Sequence, residues 1–195
     1  IRLGQFRYLY GAAAALALSF ATKETTFVFV AILGGFFLLW QASELWSAVK
    51  RRFSLSSLSP AASCLLVLLS LALPLYAAGI SLFQGPLGIT LANTDPRAGP
   101  LGAPLEMKGM GVALITVLLL LELALVIGLR WQGRRYLALF GIFYGIYVAL
   151  FTTLLTNLAG LGTGIWGYLG YWLVQHGQNR LAQPWFYYML LLSVY

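Results

Sequence analysis

Reduced to apolar and polar positions, the chain reads as long hydrocarbon runs separated by short polar breaks. Apolar runs cover residues 8–21, 25–42, 61–83, 109–129 and 136–156, and a further one begins at 185. Several approach or exceed about 18 residues, the length that signals a transmembrane helix. The pattern predicts an all-α, polytopic transmembrane bundle, a single domain with about five to six membrane helices. Residues 84–108 and 157–184 interrupt it as loops, the second with an interfacial segment.

The polar breaks refine this picture. One straight helix from Tyr8 to Trp40 would be roughly 50 Å long, against a hydrocarbon core of about 30 Å. Thr22-Lys23-Glu24-Thr25-Thr26 is therefore expected to turn the chain, with the threonines accepting N–H bonds as caps of the second helix. The alternative is one tilted span with Lys23 snorkelling to the surface. Part of residues 43–52 is expected to be helical along the membrane surface. Ser59-Pro60 marks a helix start, with serine as cap and proline in the first turn. Pro74 should kink the span that follows, which is tolerated where neighbours satisfy the freed carbonyl. Residues 84–108 are dense in Gly and Pro and read as a loop. Residues 130–135 form a tight basic turn. Gly141 and Gly145 stand four apart, a spacing that lets two helices approach closely.

Composition changes the picture in two ways. The chain is 61% hydrophobic and only 9% charged, against roughly 25% charged in a soluble domain. Its formal charge is +7, but the bases lie in short clusters between apolar runs, which is positive-inside topology and not a nucleic-acid face. Arg2, Arg7, Lys50, Arg51, Arg52, Arg130, Arg134 and Arg135 fall on one side, read as cytoplasmic. Lys23, Arg97, Lys108 and Arg180 fall on the other. Chemistry is therefore expected on the non-cytoplasmic face of a multi-pass protein of the cell membrane. Cys64 is alone, which excludes a disulfide or a Cys-based metal site within the chain. No nucleotide loop, dinucleotide fingerprint, zinc motif or nucleophile elbow is present, so no cofactor is implied. The chain opens in a basic loop and closes within an apolar run, and is read as an internal fragment.

Few residues are candidates for chemistry. Lys23 and Glu24 are adjacent charges where two apolar runs meet; they are either a functional pair or a solvated tip. Glu122, within an apolar run, either faces the bundle interior as a proton or ligand site or is a carboxyl bonded to a neighbouring helix. His176 and Arg180 share a face if the chain there is helical, with Gln175, Gln178, Asn179 and Gln183 nearby. They suggest an anion and sugar-hydroxyl site. The bland reading is an interfacial helix with Trp166, Tyr168, Tyr171 and Trp172 as its aromatic belt. Asp95, in Asn-Thr-Asp-Pro-Arg, reads as a turn residue.

Two places resemble a known family. Residues 17–25, ALSFATKET, look like the Thr-Lys element of GT-C membrane glycosyltransferases, the class that includes the dolichyl-phosphate-mannose protein mannosyltransferases. The second place starts at Phe151-Thr152-Thr153 and Thr156-Asn157, then takes in Gly164-Ile165-Trp166, Tyr171-Trp172-Leu173 and Gln175-His176. With Arg180 and Gln183-Pro184-Trp185-Phe186-Tyr187-Tyr188, it is similar to flippase-activity-associated, mannosyltransferase-like proteins of archaea and some bacteria. The resemblance implies sugar transfer from a polyprenyl-phosphate donor on the non-cytoplasmic face, with a general base upstream of Ile1. It implies Lys23, Glu24, His176, Arg180 and Gln183 as substrate-binding residues. The partners expected are membrane lipid and the lipid-linked sugar. The alternative is a transporter or accessory factor for flipping lipid-linked sugars.

Overall fold

The computed structural model describes residues 6–50 and 58–176, and among these the chain is helical, without a strand. Helix α1 is Phe6–Thr22 and α2 is Thr25–Trp40. The chain reverses between them at Lys23-Glu24. Phe20 stacks edge-on against Phe27 at 4.8 Å, while the two outer ends diverge to separate partners. Phe6 lies under Arg135, and Trp40 borders a groove with Ala61 and Cys64. The threonines do not cap α2 as expected. The Thr22 and Thr26 hydroxyls both donate to the Ser19 carbonyl, at 3.1 and 2.8 Å, so they close the end of α1. The same carbonyl accepts from the Lys23 N–H at 3.2 Å, so backbone and hydroxyls converge on it where α1 ends.

Helix α3, Ala42–Lys50, leaves α2 at a bend of 68°. Trp46 is exposed along it, under the Lys50 ammonium. Glu44 reaches from α3 to the start of α4, Pro60–Ala72, where its carboxylate accepts from the Ser59 backbone N–H and hydroxyl. Ser59 in turn caps α4 by accepting from the Ala62 N–H at 3.3 Å.

Pro74 acts by tightening the helix, not by a simple kink. From Leu73 to Phe83 the chain is 3-10 helical, and the short α5, Gln84–Leu87, ends it. Proline lacks an N–H and blocks the α-helical register. The Leu73 N–H bonds the Ser70 carbonyl. The Leu71 carbonyl lies three residues before Pro74, which has no N–H to give it. The Tyr144 hydroxyl donates to it at 2.9 Å.

Helix α6, Glu106–Phe151, is nominally continuous over 46 residues, and would be about 69 Å long if straight. It is a hairpin. Gln132 has non-helical backbone, φ −153° and ψ 77°. Gly128 and Tyr136 would stand about 12 Å apart in a straight helix, yet a methyl group on Gly128 would lie 2.1 Å from the Tyr136 ring. Glycine is needed there because the returning arm's ring occupies the place of a side chain. The far ends also meet: Ala113 shares a groove with Trp166, and the Tyr147 hydroxyl donates to the Gly164 carbonyl at 2.7 Å.

The core lies between α1, the returning arm of α6 and the helix that starts at Pro60. α1 buries Leu9, Ala13, Ala17 and Phe20, and α6 buries Tyr136, Leu139, Phe143 and Tyr147. These are helical-stripe spacings, and Phe20 of α1 meets Phe143 of α6 edge-on at 6.4 Å. Gly141 and Gly145 are exposed with nothing near them, so the expectation that they form a helix contact is wrong. They lie two residues from Phe143 and Tyr147, which at 100° per residue is the opposite face. The same geometry moves Glu122. Ala124 points inward, so Glu122 is exposed, and it has no bonding partner among the described residues.

The segments Pro60–Leu87 and Glu106–Phe151 are long and apolar enough to cross a membrane, and the bent pair α2–α3 is a third if it forms one span. The bundle has a basic end, with Arg7, Lys50, Arg130, Arg134 and Arg135, and a loop end, with Lys23, Arg97 and Lys108.

Candidate functional site

At the loop end, residues 88–105 form a folded cap and not a slack connection. Gln84 starts it: its Oε1 accepts from the Leu91 and Ala92 N–H groups at 3.1 and 2.9 Å. Asn93 holds its centre and is 2% exposed. Its Nδ2 donates to the carbonyls of Asp95, Gly99 and Pro100, and its Oδ1 accepts from the Asp95 N–H. Asp95 accepts from the Arg97 N–H at 2.9 Å, the turn role its sequence suggests. Asn93 and Gln84 escaped the sequence reading. The only signal for Asn93 was Asn-Thr-Asp-Pro, a turn-forming string in which the asparagine side chain can replace backbone partners.

The returning arm of α6 ends at Phe151, earlier than the apolar run does. Thr152 is fully buried; its hydroxyl donates to the Val148 carbonyl at 2.7 Å and accepts from the Leu155 N–H at 2.9 Å. Thr153, Leu154 and Leu155 then take left-handed backbone, with φ of 50°, 55° and 69°. Such conformations in non-glycine residues cost of order 1–3 kcal/mol each and cluster at functional sites. The chain next packs Gly160 against the Phe151 carbonyl. A short turn, α7 (Gly160–Gly162), leads into a π-helical turn, Thr163–Gly167, and then α8, Tyr168–His176. π turns widen a helix and recur at functional sites.

Trp166 projects from this turn into the protein. It is 5% exposed, and its Nε1 donates to the Leu91 carbonyl at 3.1 Å. It is therefore not part of an aromatic belt, although Tyr171 is exposed as a belt residue would be. Gly102 and Gly170 bring the cap and α8 into backbone contact: a methyl group on Gly102, at φ +75°, would lie 2.1 Å from the Tyr171 nitrogen.

Between cap, α6 and the 161–171 segment lies a groove of about 750 Å³. It is lined by Pro104, Leu105, Ala113, Val117, Thr163, Trp166, Tyr168 and Tyr171, and by Met110 and Leu114. The last two belong to the exposed apolar surface of α6. Arg97 precedes Ala98 on the groove wall, and Lys108 stands between Leu105 and Met110.

Tyr168 connects this groove to the α1–α2 turn. Its ring lies 6.1 Å from Phe27 and 5.5 Å from Phe151. Burial first, and then the nearby Glu24 carboxylate, push its phenol above the ordinary tyrosine range. Two of the residues expected from sequence, Lys23 and Glu24, are thus brought to the 157–176 segment. Lys23 is exposed and Glu24 half-buried. α8 ends at His176; the His176 side chain, Arg180, Gln183 and the apolar run from 185 lie outside the described residues. Among the described residues no three His, Cys, Asp or Glu side chains gather at one point.

No protein-family model, no curated protein and no solved structure matches this chain.

Proposed function

We propose that the chain is part of a membrane glycosyltransferase of the GT-C kind, transferring a sugar from a polyprenyl-phosphate donor at the non-cytoplasmic face. On this reading α1, α2, the segment from Pro60 and both arms of α6 each cross the bilayer, and the loop end is the outer end. The observation that carries the reading is the junction at Tyr168. That residue lines an apolar groove on one side and packs on the other against Phe27, three residues after Glu24 in the α1–α2 turn that holds Lys23. A lipid-linked phosphate needs both parts. The prenyl chain requires an apolar slot open to hydrocarbon, and Met110 and Leu114 give the groove that opening. The phosphate requires a fixed cation, because charge on the leaving group must be stabilised in the transition state. Lys23 supplies it as a point charge. Arg180, His176 and Gln183 complete the expected set.

The test is donor binding and turnover by the full-length protein in lipid nanodiscs. Lys23→Ala and Arg180→Ala are expected to weaken polyprenyl-phosphate-sugar binding or transfer by about 30-fold or more, since losing a desolvated charge-assisted contact costs ~2–5 kcal/mol. Arg97→Ala should do much less. Unchanged binding and turnover in both variants would reject the reading. Normal donor binding without sugar transfer by the wild-type protein would assign a role in flipping instead.

A further inference from the structure

The chain carries five acidic side chains, and all of them can be placed. Glu24, Asp95 and Glu106 stand at the loop end. Glu122 lies within α6, eight residues before Arg130 and so about 12 Å from it along the axis. Only Glu44 is at the basic end, and the Ser59 N–H and hydroxyl occupy its carboxylate. Residues 1–5, 51–57 and 177–195, outside the described residues, contain no Asp or Glu. The sequence therefore holds no spare carboxylate for the basic end, wherever those segments lie.

Two of its bases are held across a helix junction. The Arg135 guanidinium, from the returning arm of α6, lies 3.8 Å over the Phe6 ring of α1, and its Nη1 donates to Gln132 Oε1 at 2.7 Å. Arg7 is the next residue of α1, and its Nη2 donates to the Tyr8 hydroxyl at 3.2 Å. Both arginines are exposed, and no carboxylate pairs with either among the described residues. A base that only marks orientation needs nothing but water. A guanidinium stacked on a ring is fixed in direction and presents its edge, where the N–H donors lie.

We propose that Arg7 and Arg135 form a binding site for the phosphate of an anionic phospholipid. The unmatched charge calls for an anion from outside the chain, and the position selects a lipid. α1 begins here and the two arms of α6 meet here. Tyr8, Leu129 and Leu137, 59%, 49% and 51% exposed, continue from the bases onto the apolar surface. Acyl chains cover that surface, which a soluble polyanion would leave bare. Guanidinium forks match phosphate oxygens, and basic pockets between membrane helices suit anionic headgroups. A zwitterionic lipid fits less well, because its own ammonium is repelled by the two arginines. The inference needs the chain to lie in a membrane but does not depend on the glycosyltransferase reading.

The experiment reconstitutes the full-length protein in nanodiscs of equal parts phosphatidylcholine and phosphatidylglycerol. Native mass spectrometry then counts the lipids that stay bound. Phosphatidylglycerol should be retained about tenfold over phosphatidylcholine, and Arg7→Gln and Arg135→Gln should each reduce that preference about fivefold. Arg97→Gln removes the same charge at the loop end and should leave it unchanged. Phe6→Leu keeps both bases but removes the ring, and should also reduce the preference. Equal retention of the two lipids would overturn the proposal. So would a preference that Arg7→Gln and Arg135→Gln leave intact, or one that Arg97→Gln lowers as much. A preference unchanged in Phe6→Leu would show diffuse charge in place of a built site, and would overturn it too.

Discussion

Asn93 shows how one side chain replaces a secondary structure. The cap has no helix or strand to pair its backbone, and buried carbonyls without donors are costly. The Asn93 amide serves the carbonyls of Asp95, Gly99 and Pro100, while its own backbone bonds Ala103 and Gly102. Asn93→Ala leaves those carbonyls unserved and should destabilise the protein by about 1–3 kcal/mol. The loss should read out as a lower thermal midpoint in detergent and as faster proteolysis within residues 88–105. An unchanged midpoint and cleavage rate would show that the cap is held otherwise. At the same scale, burial and then the Glu24 carboxylate push the Tyr168 phenol above the ordinary tyrosine range.

At the scale of the element, the helix from Pro60 depends on a neighbour for its continuity. Pro74 has no N–H to give, and the Tyr144 hydroxyl donates to the Leu71 carbonyl three residues before it. Tyr144→Phe should cost about 1–3 kcal/mol. In a Pro74→Ala background the helix can use its own N–H groups, and the same substitution should cost markedly less. A double-mutant cycle on unfolding free energies isolates that coupling; additive effects would sink the account. The α6 hairpin is the parallel case. Its reversal at Gln132 works because Gly128 offers no side chain to the Tyr136 ring.

For the whole molecule, the two ends differ in charge and in backbone. At the basic end α6 reverses at Gln132, and the loop end carries the cap, the left-handed turn and the groove. If the basic end is cytoplasmic, as the positive-inside rule expects, then a cysteine at Ala98 in a Cys64→Ser background reacts with an impermeant thiol reagent from outside. One at Gly133 reacts only after permeabilisation. The reverse labelling would invert the topology and remove the functional assignment of the loop end.

The sequence by itself determined where several of the apolar helices begin and turn, though not that the returning arm of α6 stops at Phe151. Those limits come from local facts: the length of a hydrocarbon run, a charged pair at Lys23-Glu24, a cap at Ser59, a proline at 74. The turn at residues 130–135 was visible for the same reason. What the sequence could not determine was which side of each helix faces inward. In α6 nearly every position is apolar, so no amphipathic period marks a buried face. Gly141, Gly145 and Glu122 were consequently assigned to contacts they do not make. Only tertiary packing orients the helix, when Phe143 meets Phe20 of α1 and the Tyr147 hydroxyl reaches the Gly164 carbonyl. The groove was equally invisible, because residues far apart in the chain, Ala113, Trp166 and Tyr171, line it together.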